Sequence, residues 1–371
     1  MMFKKKIGNH TKEYGQPKPN KRAKKVIATI LASLTGISAM TVVSGVIAYD
    51  TVFQRYKRPD YATYPGEYLF ERVKDGLSRT EFYYRANKSE LKGYYYPAQN
   101  GKGLVVIAHG FHAGADDYLP MIAYMVRRGY NVFAYDNTGT YDSKGEWVVG
   151  MCQALVDLDN TLSYLKATPP YNQMPVFLLG HSMGGYAVTS VLALQKHVRA
   201  CAAIAPMNNG YTIMLEKGEQ YVGKLALTAA PVFNVYQKML FGEYAQYNGV
   251  KGINSVDIPV LIAHGVDDKV ITYSEQSVIA HKDEITNKNV SYYVGKGLQG
   301  DHDNIWHSVE AAAYQSEVAS GLKLLEKQKG DKMTREEIAA YYNTVDHAKY
   351  SAVNKELFEE IIKLFDGALA K

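Results

Sequence analysis

Apolar residues fall along this chain in three patterns. The first is a single long run: from Val26 to Tyr49, "VIATILASLTGISAMTVVSGVIAY", 24 residues carry no charge. The second is an alternation of short apolar runs with helical periods. "GLVVIAHG", "NVFAYD", "MPVFLLGHS", "VRACAAIAP", "IPVLIAHG" and "NVSYYVG" read as strands. Tyr118–Arg128, Trp147–Lys166 and Met183–Gln195, lying between them, read as helices. Near-continuous Val/Ile/Leu strands between helices are what a mostly parallel sheet covered on both faces requires, so the predicted class is α/β. Ahead of this series, "EFYYRA" (Glu81–Ala86) and "LKGYYYP" (Leu91–Pro97) read as a hairpin with "NKSE" as its turn.

The third pattern is helical grouping outside that rhythm. Met207–Asp257 separates two strands by more than any ordinary loop, which predicts a helical cap or lid. Val309–Lys371 reads helical almost throughout, with Thr334 as an N-cap and Glu337 completing a capping box. The amphipathic stretch "VNKELFEEIIKLFDGALA" is expected to close the structure or pack on the lid. The organisation expected is a tail over 1–25, an apolar span over 26–49 and a stalk over 50–67. A catalytic domain over 68–310, with its lid insertion at 207–257, and a helical extension over 311–371 follow.

Charge changes the reading of the long run. The net charge of +5 comes from one end: residues 1–25 hold nine Lys/Arg against Glu13, leaving 33 basic and 36 acidic residues elsewhere. A basic tail alone is a nucleic-acid signal, but here it precedes an apolar span. At about 1.5 Å per residue, that span crosses a hydrocarbon core of about 30 Å as a helix. The basic block outweighs Arg55, Lys57 and Arg58 beyond the run. The positive-inside rule then puts the N-terminus in the cytoplasm and the rest of a single-pass protein outside. No nucleic-acid partner is expected. Val46 and Ala48 leave open a cleaved signal peptide and a secreted product, although the run is long for that purpose. Cys152 and Cys201 lack metal-ligand spacing and read as small buried apolar residues.

Candidate chemistry begins at Gly180-His181-Ser182-Met183-Gly184, a GxSxG between a predicted strand and a predicted helix. In that context the glycines allow a sharp turn that lifts the Ser182 hydroxyl above the sheet edge. Serine needs a base, and the base needs an orienting acid. Asp267 and Asp268 follow "IPVLIAHG"; His302 and His307 follow "NVSYYVG" in "GLQGDHDNIWHS". Both loops leave the carboxyl ends of strands, where open α/β sheets build their sites. Asp301, Asp303 and His307 surround His302 without the further ligands that a metal site needs.

The motifs "HGFHAG", "YDNTGTYDSKGE", "GHSMGGYA", "HGVDDKV" and "GDHDNIW", in that order, resemble those of the α/β-hydrolase superfamily of serine esterases, lipases and peptidases over about residues 68–310. The resemblance implies Ser182 as nucleophile, Asp268 as acid with Asp267 as fallback, and His302 as base in preference to His307, which would lie on the following helix. It further implies an oxyanion site from the amides of Phe111 and Met183, and a structural, loop-fixing role for Asp136. The expected activity is hydrolysis of carboxylic esters of small or lipid-like acyl groups, with no metal or organic cofactor. A serine peptidase and a binding protein on the same scaffold are the alternatives; oligomeric state is not specified.

Overall fold

The computed structural model describes residues 49–86, 89–224 and 230–369. The basic tail and the apolar run, apart from its last residue, lie outside these, as do Asn87 and Lys88 of the hairpin turn. Among the described residues no helix is long and apolar enough to cross a membrane.

Eight strands form one sheet: β1 (Thr80–Ala86), β2 (Ser89–Tyr96), β3 (Leu104–Ala108), β4 (Asn131–Tyr135), β5 (Val176–His181), β6 (Val198–Ile204), β7 (Val260–Gly265) and β8 (Val290–Gly295). Their spatial order is β1-β2-β4-β3-β5-β6-β7-β8. The expected hairpin forms, and β2 joins β4 antiparallel; every other neighbouring pair is parallel.

Burial explains why the central runs are continuous. Leu104, Val106 and Ala108 of β3 enter one core with α2 (Gln153–Ala167), α3 (Met183–Ser190) and α6 (Gly249–Asn254). Val105 and Ile107 enter the opposite core with α1 (Leu119–Arg127) and α9 (Lys355–Leu369). Successive side chains point to opposite faces, and both faces are covered, so each position must be apolar. Cys152 and Cys201 are buried and free, as expected.

Several segments depart from the sequence expectation. The stalk is no stalk. Phe53 is fully buried, Tyr56 pairs with Thr140, the Glu67 amide donates to Ser351 Oγ, and Arg58 bonds Asp116 and Asp142. Residues 49–67 form a strap on the domain. The helix expected from Trp147 begins only at Gln153, because Trp147 bridges Gln54 and Val149 turns with a φ of 70°. The helix from Met183 ends at Ser190 and continues as a 3-10 turn to Ala193.

Within the insertion, α4 (Thr212–Val222) and α5 (Ala230–Phe241) account for the lid, but α6 belongs to the core layer. A Cβ at Gly252 of α6 would lie 2.0 Å from the Thr189 carbonyl oxygen, so α3 and α6 touch backbone to backbone. The capping box at Thr334 and Glu337 forms at the start of α8 (Arg335–Tyr342), after α7 (Val309–Lys329).

The amphipathic helix α9 closes the structure, the first of its two expected placements. Its Leu357, Phe358, Ile361, Ile362 and Phe365 fill the second core beneath β6 and β7, so a boundary at 310 cuts off part of the core of the domain. The Phe365 ring lies 4.9 Å from that of Phe177, centroid to centroid, and is fully buried. Phe365→Ala is therefore expected to cost about 3–5 kcal/mol in urea denaturation. A loss below about 1 kcal/mol would mean that the helix is dispensable to the core.

Candidate active site

The turn after β5 fixes everything around it. Ser182 sits at φ 58° and ψ −119°, a strained conformation held because its amide donates to the Ile204 carbonyl at 2.9 Å. The neighbouring glycines are required by contact. A Cβ at Gly180 would meet the Gly184 carbonyl oxygen at 2.3 Å, and one at Gly184 would meet the Ala108 carbonyl oxygen at 2.0 Å. β5, α3 and the end of β3 thus close on one point with Ser182 above it.

Three of the expected residues meet there. Asp268 accepts at Oδ2 from His302 Nδ1 at 2.7 Å, and Ser182 Oγ lies 3.0 Å from His302 Nε2, where it donates. All three are nearly buried. Asp268 is held rigidly: its Oδ1 accepts the amides of Val270 and Ile271, and its Oδ2 also receives His264 Nε2 at 3.1 Å. Burial disfavours the Asp268 carboxylate, but these donors outweigh it and hold the pKa well below the usual range. Burial likewise pulls His302 down, and the hydrogen bond and charge of Asp268 more than reverse it, leaving the imidazole above its ordinary value.

The fallback residues stand apart. Asp267 is exposed, its amide bonded to the Gly300 carbonyl. His307 is not on a helix: it pairs with Val353 in an isolated bridge, its ring centroid 3.7 Å from that of Trp306. Phe111 follows β3 and Met183 opens α3, whose first amides have no carbonyl a turn earlier to bind. A Cβ at Gly110 would come within 3.4 Å of Ser182 Cβ, which brings the Phe111 turn beside the serine. Asp136 accepts the Ala115 amide and the Tyr94 hydroxyl. Burial pushes its carboxyl up to about 7, against the Ala115 hydrogen bond and the Arg58 charge. It fixes loops and touches none of the three.

Three histidines missed in the sequence reading support the site. Tyr118 Oη accepts the Gly110 amide at 2.9 Å and donates to His181 Nδ1, whose Nε2–H reaches the His302 carbonyl at 3.2 Å. One buried chain therefore ties the turn before Phe111 to the His302 loop. His109 Nε2 accepts the Asn137 amide, and His264 braces Asp268. Burial drives His109 and His181 down to about 4, the His302 charge adding to the effect at His181, so both are neutral spacers. His181 was visible inside the GxSxG and His109 and His264 inside the HG turns; Tyr118 carried no local signal. His181, His302 and Asp303 offer ligand atoms within 4.8 Å of one another. A cation there would have to displace the hydrogen bonds that both imidazoles already make.

Strand order, elbow and loop positions together define an α/β-hydrolase fold. Residues 99–253 match Hydrolase_4, described as serine aminopeptidase, S33. That stretch contains Phe111, Ser182 and Met183 and stops short of Asp268 and His302. The chain is 27% identical over 201 residues to the uncharacterized protein YfhR of Salmonella typhi, covering 50% of this chain and 63% of that protein. It is 33% identical over 119 residues to the monoglyceride lipase of Rattus norvegicus, covering 31% and 38%. The match thus spans less than two thirds of either relative. Among solved structures, the Pyrococcus furiosus esterase Pf2001 superposes with a TM-score of 0.51 at 20% identity, over 73% of this chain and 96% of that one.

Proposed function

We propose that the protein is a serine hydrolase of carboxylic esters, working through Ser182, His302 and Asp268. Ser182 Oγ attacks the acyl carbonyl while His302 Nε2 takes its proton. Asp268 fixes the imidazole tautomer and stabilises the imidazolium. The amides of Phe111 and Met183 receive the oxyanion. His302 then protonates the leaving alkoxide, and water, activated by the same imidazole, hydrolyses the acyl-enzyme. The observation that carries this reading is the continuous hydrogen-bonded line from Asp268 through His302 to Ser182. Similarity to proteins named as an esterase and a monoglyceride lipase supports an ester of a small or lipid-like acyl group.

A serine peptidase is the second reading, favoured by one feature of the lid. Glu216 of α4 accepts Thr272 Oγ1 at Oε1, beside the Asp268 loop, and its buried Oε2 has no partner among the described residues. Such an oxygen suits a substrate ammonium. The reading also agrees with the description of the matching family.

A fluorophosphonate probe is expected to label the wild type and not Ser182→Ala; equal labelling of both would remove Ser182 as nucleophile. With p-nitrophenyl esters and aminoacyl-anilides side by side, esters are expected to turn over faster, and the reverse order would favour the peptidase.

His302 must be unprotonated to accept the serine proton, so kcat/KM is expected to rise with pH through a midpoint above the ordinary histidine value of 6.5. Asp268→Asn removes the group that holds this value up. It should lower the midpoint and reduce the rate on the order of 10⁴-fold. A midpoint that does not move would detach Asp268 from His302.

The same proposal puts the catalytic domain on the outer face of a membrane, anchored by the apolar run and its basic flank, with release by signal-peptide cleavage as the alternative. A C-terminal tag on intact cells should be open to added protease. A protected tag would contradict this orientation.

A further inference from the structure

The strap ahead of the domain packs against the turn beside Ser182. Tyr49, Phe53 and Val148 form a separate buried apolar cluster, at 2%, 0% and 1% exposure, against which Phe111, Met214 and Phe233 pack. The Phe53 ring lies 5.3 Å from the Phe111 ring, and the Tyr56 ring 5.5 Å from it. Phe111 belongs to the turn beside Ser182, so an acyl chain bound at the serine and running past this amide meets Phe53 next.

That wall is anchored on two sides. The Phe53 carbonyl accepts the Val148 amide, and Tyr56 exchanges backbone hydrogen bonds with the 139–141 loop. Towards the lid, Gln237 of α5 donates to Tyr49 Oη at 2.8 Å, and Tyr236 Oη donates to Asp50 at 3.2 Å. Tyr49 packs edge-on against Tyr236, with ring centroids 5.4 Å apart. A ring buried this completely and braced at both ends cannot swing aside without exposing apolar surface and breaking backbone hydrogen bonds.

We infer that Phe53, with Tyr49 behind it, closes the acyl side of the site and makes the enzyme selective for esters of short acyl chains. Any lipid-like character of the substrate then resides in the alcohol. This inference rests on the ester-hydrolase reading and adds residues that lie outside the 99–253 family match.

The test uses the full chain in detergent with p-nitrophenyl acetate, butyrate and octanoate. Wild type is expected to prefer acetate or butyrate. Phe53→Ala should raise the octanoate-to-butyrate ratio of kcat/KM by at least about tenfold, since one methylene in an apolar pocket already discriminates 10–200-fold. Phe53→Leu, which keeps an apolar contact if the smaller side chain disrupts folding, should raise it less. Fluorophosphonate labelling counts intact sites in each variant. A wild type that prefers octanoate, or an unchanged ratio in variants that still label, would overturn the inference. A wild type that does not label at all would instead bring down the ester-hydrolase reading, and this inference with it.

Discussion

The structure depends on one close approach: α3 begins so near the end of β3 that no side chain fits between them. At Gly184 the space for a Cβ is taken by the Ala108 carbonyl oxygen. Because of that contact the Ser182 turn and the Phe111 turn share one point on the carboxyl edge of the sheet. A serine hydroxyl and backbone amides that are to act on one group have to be within a few ångströms of each other, and this packing brings the two turns that close. The strained backbone at Ser182 follows from the same compression, the strand and the helix around it being too well packed to relax.

The polar groups below the site are arranged to hold charge in one place. Asp268 is surrounded by donors and stays ionised, whereas burial keeps His181 and His109 neutral. A second imidazolium beside His302 would oppose any positive charge on His302. Neutral His181 supplies orientation alone, linking Tyr118 and the His302 carbonyl. One loop away, Asp136 organises the Ala115 amide and the Tyr94 hydroxyl while burial raises its carboxyl to about 7.

The central sheet was legible in the sequence because continuous apolar runs and the glycine turns after them follow directly from two-sided burial. The Ser182, Asp268 and His302 loops were legible because each closes a strand at the same edge. What was not legible depends on long-range contacts. Phe53 and Tyr56 looked like part of a polar stalk, since their partners, Phe111 and Thr140, lie far along the chain. Trp147 carried a helical pattern, yet bridging to Gln54 won over local propensity. Tyr118 is distinguished from 30 other tyrosines only by the histidine it meets 63 residues later.

The C-terminal segment completes the site as well as the core. Asn354 donates from its backbone to the Trp306 carbonyl and from its side chain to the Ile305 carbonyl, and the Ser308 amide donates to the Ala352 carbonyl. With the His307–Val353 bridge, these bonds pin the loop carrying His302 to the chain just before α9. α9 then buries its phenylalanines beneath the sheet. The imidazole is therefore positioned from below by His181 and laterally by a segment about 50 residues downstream. An imidazole held by two independent attachments has its distance to Ser182 set without the helices of the insertion, because neither attachment passes through α4 or α5.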